Sequence, residues 1–108
     1  PSAPKPGREL APEAARDMLA NGALTLVDVR PAEERAQASL PHPFRDFDDG
    51  IDAIEALPKD APIAFICHHG GRSAQAAEHF RGLGFREVYN VTGGIDAWAQ
   101  LDPAIPRY

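Results

Sequence analysis

The apolar run Ile63-Ala64-Phe65-Ile66 ends on Cys67, the one cysteine of the chain, and His68-His69-Gly70-Gly71-Arg72-Ser73 follows it. Apolar residues then return at helical spacing, with Ala76, Phe80 and Leu83 marking a buried face. A continuous apolar segment, a glycine-bearing turn and a helix form the unit of a parallel sheet covered on both faces. In such a unit the loop lies at the carboxyl edge of the sheet. Backbone N–H groups and the positive end of the next helix can converge there on an anion. A lone cysteine in an apolar strand is usually a small core residue. That reading accounts for the run but not for the histidines, glycines and arginine beside it, so a reactive thiolate is the better account.

The flanking chain repeats the same alternation. Residues 1–7 carry three prolines and a glycine and read as a linker, with the domain proper spanning 8–108. Arg8-Glu9-Leu10-Ala11 suits a short edge strand. Pro12 opens a helix through Ala20 that stops at Asn21-Gly22, with Met18 as a core filler. Leu24 to Val29 reads as a strand buried on both faces, with Asp28 at its carboxyl end and Arg30 just beyond. Pro31 opens a short helix to Ala36. Residues 37–50 read as loop with a brief strand near Phe44, and 51–57 returns to helical spacing. The helix after the loop is expected over Ser73 to Leu83, with Gly84 capping it and Phe85 folding back on it. Glu87 to Val91 is a further strand, Gly93-Gly94 a tight turn, and Ile95 to Gln100 a last helix with Trp98 in the core. The tail from Asp102 to Tyr108 reads as irregular. This alternation predicts one α/β domain with three layers and a parallel sheet.

Composition narrows the function. The 108 residues are 44% hydrophobic with a net charge of −5, and Asp46, Asp48, Asp49, Asp52 and Glu55 make the middle acidic. Such a charge balance argues against nucleic-acid or anionic-membrane partners. No apolar run approaches the roughly 18 residues a membrane-crossing helix needs. A single cysteine suits a reducing compartment, so a cytoplasmic location is expected. Adjacent Cys67-His68-His69 cannot readily converge on one ion, because zinc sites favour wider ligand spacing. His42 and His79 add no ligand pattern, so no metal is expected; His69 better lines the site and His79 a surface.

Three segments carry a family resemblance: Leu26-Val27-Asp28-Val29-Arg30, the loop Cys67 to Ser73, and Val88-Tyr89-Asn90-Val91-Thr92-Gly93-Gly94-Ile95-Asp96-Ala97-Trp98. In this order and spacing they resemble a single-domain rhodanese from about Arg8 to Gln100. The resemblance implies a three-layer rhodanese-like fold with a five-stranded parallel sheet flanked by helices, and sulfurtransferase activity without a cofactor. Cys67 would carry the sulfur, and the loop His68, His69, Gly70, Gly71, Arg72 and Ser73 would bind substrate and persulfide. Asp28 and Arg30 would support the loop and the mouth of the site. Ala38-Ser39-Leu40-Pro41-His42-Pro43 departs from the Gly-His-Ile-x-Gly-Ala-like segment of many members, so family contacts near 40–48 are not carried over. The proline-rich entry, the loop and the Ile105-Pro106-Arg107-Tyr108 ending resemble the rhodanese half of bacterial glutaredoxin–rhodanese fusions. A fused or separate glutaredoxin- or thioredoxin-type protein is then an expected partner, beside a small thiosulfate-like donor and a thiol acceptor.

The expected reaction passes a sulfane sulfur from thiosulfate or a persulfide to a thiol, or to cyanide in an assay, through a Cys67 persulfide. Two rivals stand against it. A non-catalytic, regulatory rhodanese-like module usually lacks the cysteine, which is present here. A phosphatase or arsenate reductase of related design has one more residue between cysteine and arginine. Here 68–71 intervene, and the smaller cradle suits a single sulfur atom.

Overall fold

A computed structural model describes residues 9–38, 45–46, 52, 54–69, 71–103 and 105. In chain order it contains β1 (Glu9–Leu10), α1 (Pro12–Ala20), β2 (Thr25–Asp28), α2 (Ala32–Gln37), β3 (Arg45–Asp46), β4 (Ile63–Ile66), α3 (Gly71–Gly82), β5 (Val88–Val91) and α4 (Gly94–Leu101). Asp52, Ile54 and Glu55, within the expected helix 51–57, also have helical backbone. The expected linker 1–7 and most of the expected loop 37–50 lie outside the described residues.

The five strands form one sheet in the order β1-β5-β4-β2-β3, and every pair is parallel. β4 is the middle strand and is buried at all of its positions, as its unbroken apolar run requires. The side chains of the sheet still alternate between two layers, because successive residues of a strand point to opposite faces. Leu26, Ala64, Ile66, Tyr89 and Val91 pack on one side with Ala15 of α1 and with Ile95 and Trp98 of α4. Val27, Ile63, Phe65 and Val88 pack on the other with Ile54, Phe85 and with Ala77 and Phe80 of α3. Helices on both faces of a parallel sheet make the expected three layers. Trp98 is fully buried, so its core assignment stands, and Met18 packs against the same layer.

Helix ends follow local chemistry. At the end of α3 the Phe85 N–H bonds Phe80 O at 3.4 Å and the Gly84 N–H bonds Arg81 O at 3.0 Å, with Gly84 at φ +100°. That is the paired closure in which a left-handed glycine satisfies the last carbonyls, and the Phe85 ring returns to within 5.5 Å of Phe80. Two expectations need correction. α3 begins at Gly71, two residues earlier than Ser73, so Arg72 belongs to its first turn. Leu83 is 41% exposed, because the chain reverses at Gly84 and lifts it off the buried face. Ile105, expected in an irregular tail, is 2% exposed and closes the α1–α4 layer.

Candidate active site

Cys67 follows directly on β4 and is 1% exposed. The carboxyl ends of β2 and β5 flank it, since Asp28 pairs with Ile66 and Phe65 with Asn90. The middle of the carboxyl edge is where an open parallel sheet gathers groups from several strands. Ser73, third residue of α3, directs its N–H to Cys67 Sγ at 3.4 Å and places its hydroxyl 3.2 Å from the same sulfur. First-turn amides have no partner within their own helix, so this N–H and the positive end of α3 act on the sulfur together.

The carbonyls of the loop are turned the other way. Ile95 N–H donates to Cys67 O at 2.8 Å, and Asp96 N–H donates to His68 O at 3.1 Å. Gly94 makes this docking possible. It has φ +61°, and a Cβ there would stand 2.1 Å from Cys67 O. The Gly93-Gly94 turn is therefore a seat for the cysteine loop as well as a helix start. That second use is invisible in the sequence, because it depends on β5 lying beside β4.

Arg72, with its side chain 47% exposed, is held by Glu34 of α2 through two hydrogen bonds of 3.0 and 2.8 Å. α2 is itself anchored by the buried Asp28–Arg30 pair, in which Arg30 Nη2 meets Asp28 Oδ2 at 2.7 Å. Arg30 also donates to Ala38 O at 2.7 Å and Glu34 O at 3.3 Å. Asp28 and Arg30 thus reach the loop through α2, which carries the partner of Arg72. His68 is half-buried and His69 exposed, and their rings stack at 4.0 Å. His79 is on the surface, 3.8 Å from Glu55. Gly70 and His42 lie outside the described residues.

Glu34, Gly94, Asn90 and Glu9 also belong to this neighbourhood, though in the sequence Gly94 reads only as a turn residue and the other three carry no site assignment. For Asn90 a signal existed: it is the polar residue in an otherwise apolar or aromatic strand, and such a residue needs a buried partner.

This geometry defines a class: a parallel α/β domain with a cysteine beneath a helix N-terminus at the middle of the sheet. Comparison with known proteins is specific. The rhodanese-like domain family matches residues 11–101. A thiosulfate sulfurtransferase GlpE from Pseudomonas paraeruginosa is 36% identical over 99 residues, covering 90% of this chain and 88% of that protein. A rhodanese-related protein of Thermoplasma volcanium superposes with a TM-score of 0.69 at 29% identity, covering 88% of this chain and 93% of the other. The polysulfide-sulfur transferase homodimer of Wolinella succinogenes shares the fold, with a TM-score of 0.76 at 24% identity over 93% of this chain and 78% of its own. The chain belongs to the rhodanese family and is a rhodanese-like sulfurtransferase.

Proposed function

We propose that the chain transfers a sulfane sulfur from thiosulfate or a persulfide to a thiol through a persulfide on Cys67. The observation that carries this reading is the Ser73 N–H aimed at a sulfur that sits under the first turn of α3. An anion there gains a donor and the helix field without reorganisation.

The Cys67 thiolate attacks the outer sulfur of thiosulfate. An S–S bond forms at Cys67, the S–S bond of thiosulfate breaks, and its electron pair leaves with sulfite. The negative charge ends on the outer sulfur of the persulfide, within the loop of His68, His69, Gly70, Gly71, Arg72 and Ser73. An acceptor thiolate then attacks that outer sulfur, and the electron pair of the breaking bond returns to Cys67 as thiolate. Cyanide does the same in an assay and leaves as thiocyanate. Cys67 is almost fully buried, which favours donors that present one slim terminal sulfur. A small thiol, or a glutaredoxin- or thioredoxin-type protein, is the acceptor class this chemistry calls for. The single cysteine must stay reduced between turnovers, which fits the cytoplasm.

Intact mass after thiosulfate treatment tests the proposal. The wild type should gain about 32 Da, one sulfur atom, and Cys67→Ser should gain nothing. A wild-type protein that forms no adduct with thiosulfate or a persulfide donor refutes sulfur transfer and leaves a binding module.

A further inference from the structure

The path from Cys67 does not end at Ser73. The fully buried Ser73 hydroxyl lies 3.2 Å from Cys67 Sγ and also hydrogen-bonds Asn90 Oδ1. Asn90, 6% exposed, turns its Nδ2 to the two carboxylate oxygens of Glu9 at 3.1 and 3.0 Å. Strand register places these two side by side, since Glu9 pairs with Asn90 where β1 joins β5. Thr92 Oγ1 donates to Glu9 Oε1 at 3.1 Å. A row of side chains therefore runs from the edge strand to the reactive sulfur.

The direction of each bond follows from which atoms carry protons. A carboxylate only accepts, so Asn90 must present its NH2 to Glu9 and its carbonyl oxygen to Ser73. A carbonyl oxygen also only accepts, so the one Ser73 hydroxyl proton goes to Asn90. The Ser73 oxygen then offers Cys67 lone pairs alone. Lone pairs suit an S–H donor and oppose a thiolate, whereas the Ser73 backbone N–H favours the thiolate.

We infer that Glu9 and Asn90 are positioning residues that hold the Ser73 proton away from Cys67 and so favour the resting thiol. The inference rests on Cys67 as the nucleophile of the proposed reaction. Rotation about one C–O bond turns the Ser73 proton to sulfur once Asn90 no longer accepts it. The other titratable groups around the loop are the Asp28–Arg30 and Glu34–Arg72 pairs, the two loop histidines and Asp96. All are kept in the variants below.

The test is the pH profile of Cys67 alkylation by iodoacetamide in wild type, Asn90→Leu, Ser73→Ala and the double variant, with thermal unfolding as a check on folding. Asn90→Leu leaves the hydroxyl free to donate to sulfur. Its profile should shift to lower pH, with the rate below the midpoint rising about threefold to tenfold, the range of one ordinary hydrogen bond. In the Ser73→Ala background the same substitution should change nothing. No shift in Asn90→Leu, or an equal shift without Ser73, overturns the inference. If Asn90→Leu fails to fold, Glu9→Gln serves instead, because a glutamine can donate to Asn90 Oδ1 and allow its amide to turn over. A downward shift larger with Ser73 than without it supports the inference, and equal shifts overturn it. Alkylation needs no sulfur donor, so failure of persulfide formation in the mass experiment strikes the transfer reaction and is seen separately.

Discussion

Gly94 governs the cysteine loop from outside it. Its amide neighbours hold the carbonyls of Cys67 and His68, and its missing Cβ lets those carbonyls approach. Gly94→Ala combines a left-handed φ of +61° with a clash at 2.1 Å against backbone, which has little room to move. The expected cost is roughly 2–4 kcal/mol of unfolding free energy, read from denaturant titration, together with a fall in kcat of the surviving folded fraction. Unchanged stability would mean that the loop does not depend on this seat. The Gly-Gly pair was visible in the sequence as a turn. Its contact with residues 67 and 68 was not, because nothing local to Gly94 records which loop lies above it.

α2 links the buried Asp28–Arg30 pair to the exposed Glu34–Arg72 pair. The short helix thereby places a countercharge beside Arg72. Glu34→Gln removes the countercharge and keeps the side-chain length. The KM for thiosulfate should fall about twofold to fivefold with kcat little changed, in keeping with the modest strength of an exposed pair. The gain should shrink at high salt, where exposed charges are screened. A KM indifferent to Glu34 would mean that Arg72 does not meet the donor. Helix α3 shows the complementary case. Its end at Gly84 and Phe85 was legible from two residues, since a glycine cap with an apolar follower is a local device. Its start was not, because Gly71 and Arg72 look like loop residues and the bonds that tie down this first turn run to Cys67 and Asn90 outside the helix.

At the scale of the molecule, the strand order places a central cysteine between β2 and β5 and leaves β1 and β3 as short edges. Tyr89, buried on β5, ties the sheet to alkaline stability. Burial first, then the charge of Glu87 and its hydrogen bond, raise its pKa above the ordinary 10.0. The folded state thus prefers the neutral phenol, and the unfolded chain gives up the proton first. This contribution is complete below pH 10.0 and declines as pH climbs through the higher folded value. Tyr89→Phe should flatten the alkaline limb of a plot of unfolding midpoint against pH, and an unaltered limb would assign the loss to other groups.

Local patterns along the chain dictate the alternation of strands and helices, the cysteine at the end of the most apolar strand and the glycine caps. All of these arise from the period of burial and from the φ a residue tolerates, which act within a few positions. Packing of distant elements is what sets Glu34 against Arg72 across 38 positions and Glu9 against Asn90 across 81. Such contacts depend on which strands become neighbours and in what register, and no short pattern encodes either. The setting of Cys67 at the end of an apolar strand is local, whereas Ser73, Asn90 and Glu9 form a row beside it because β1 pairs with β5.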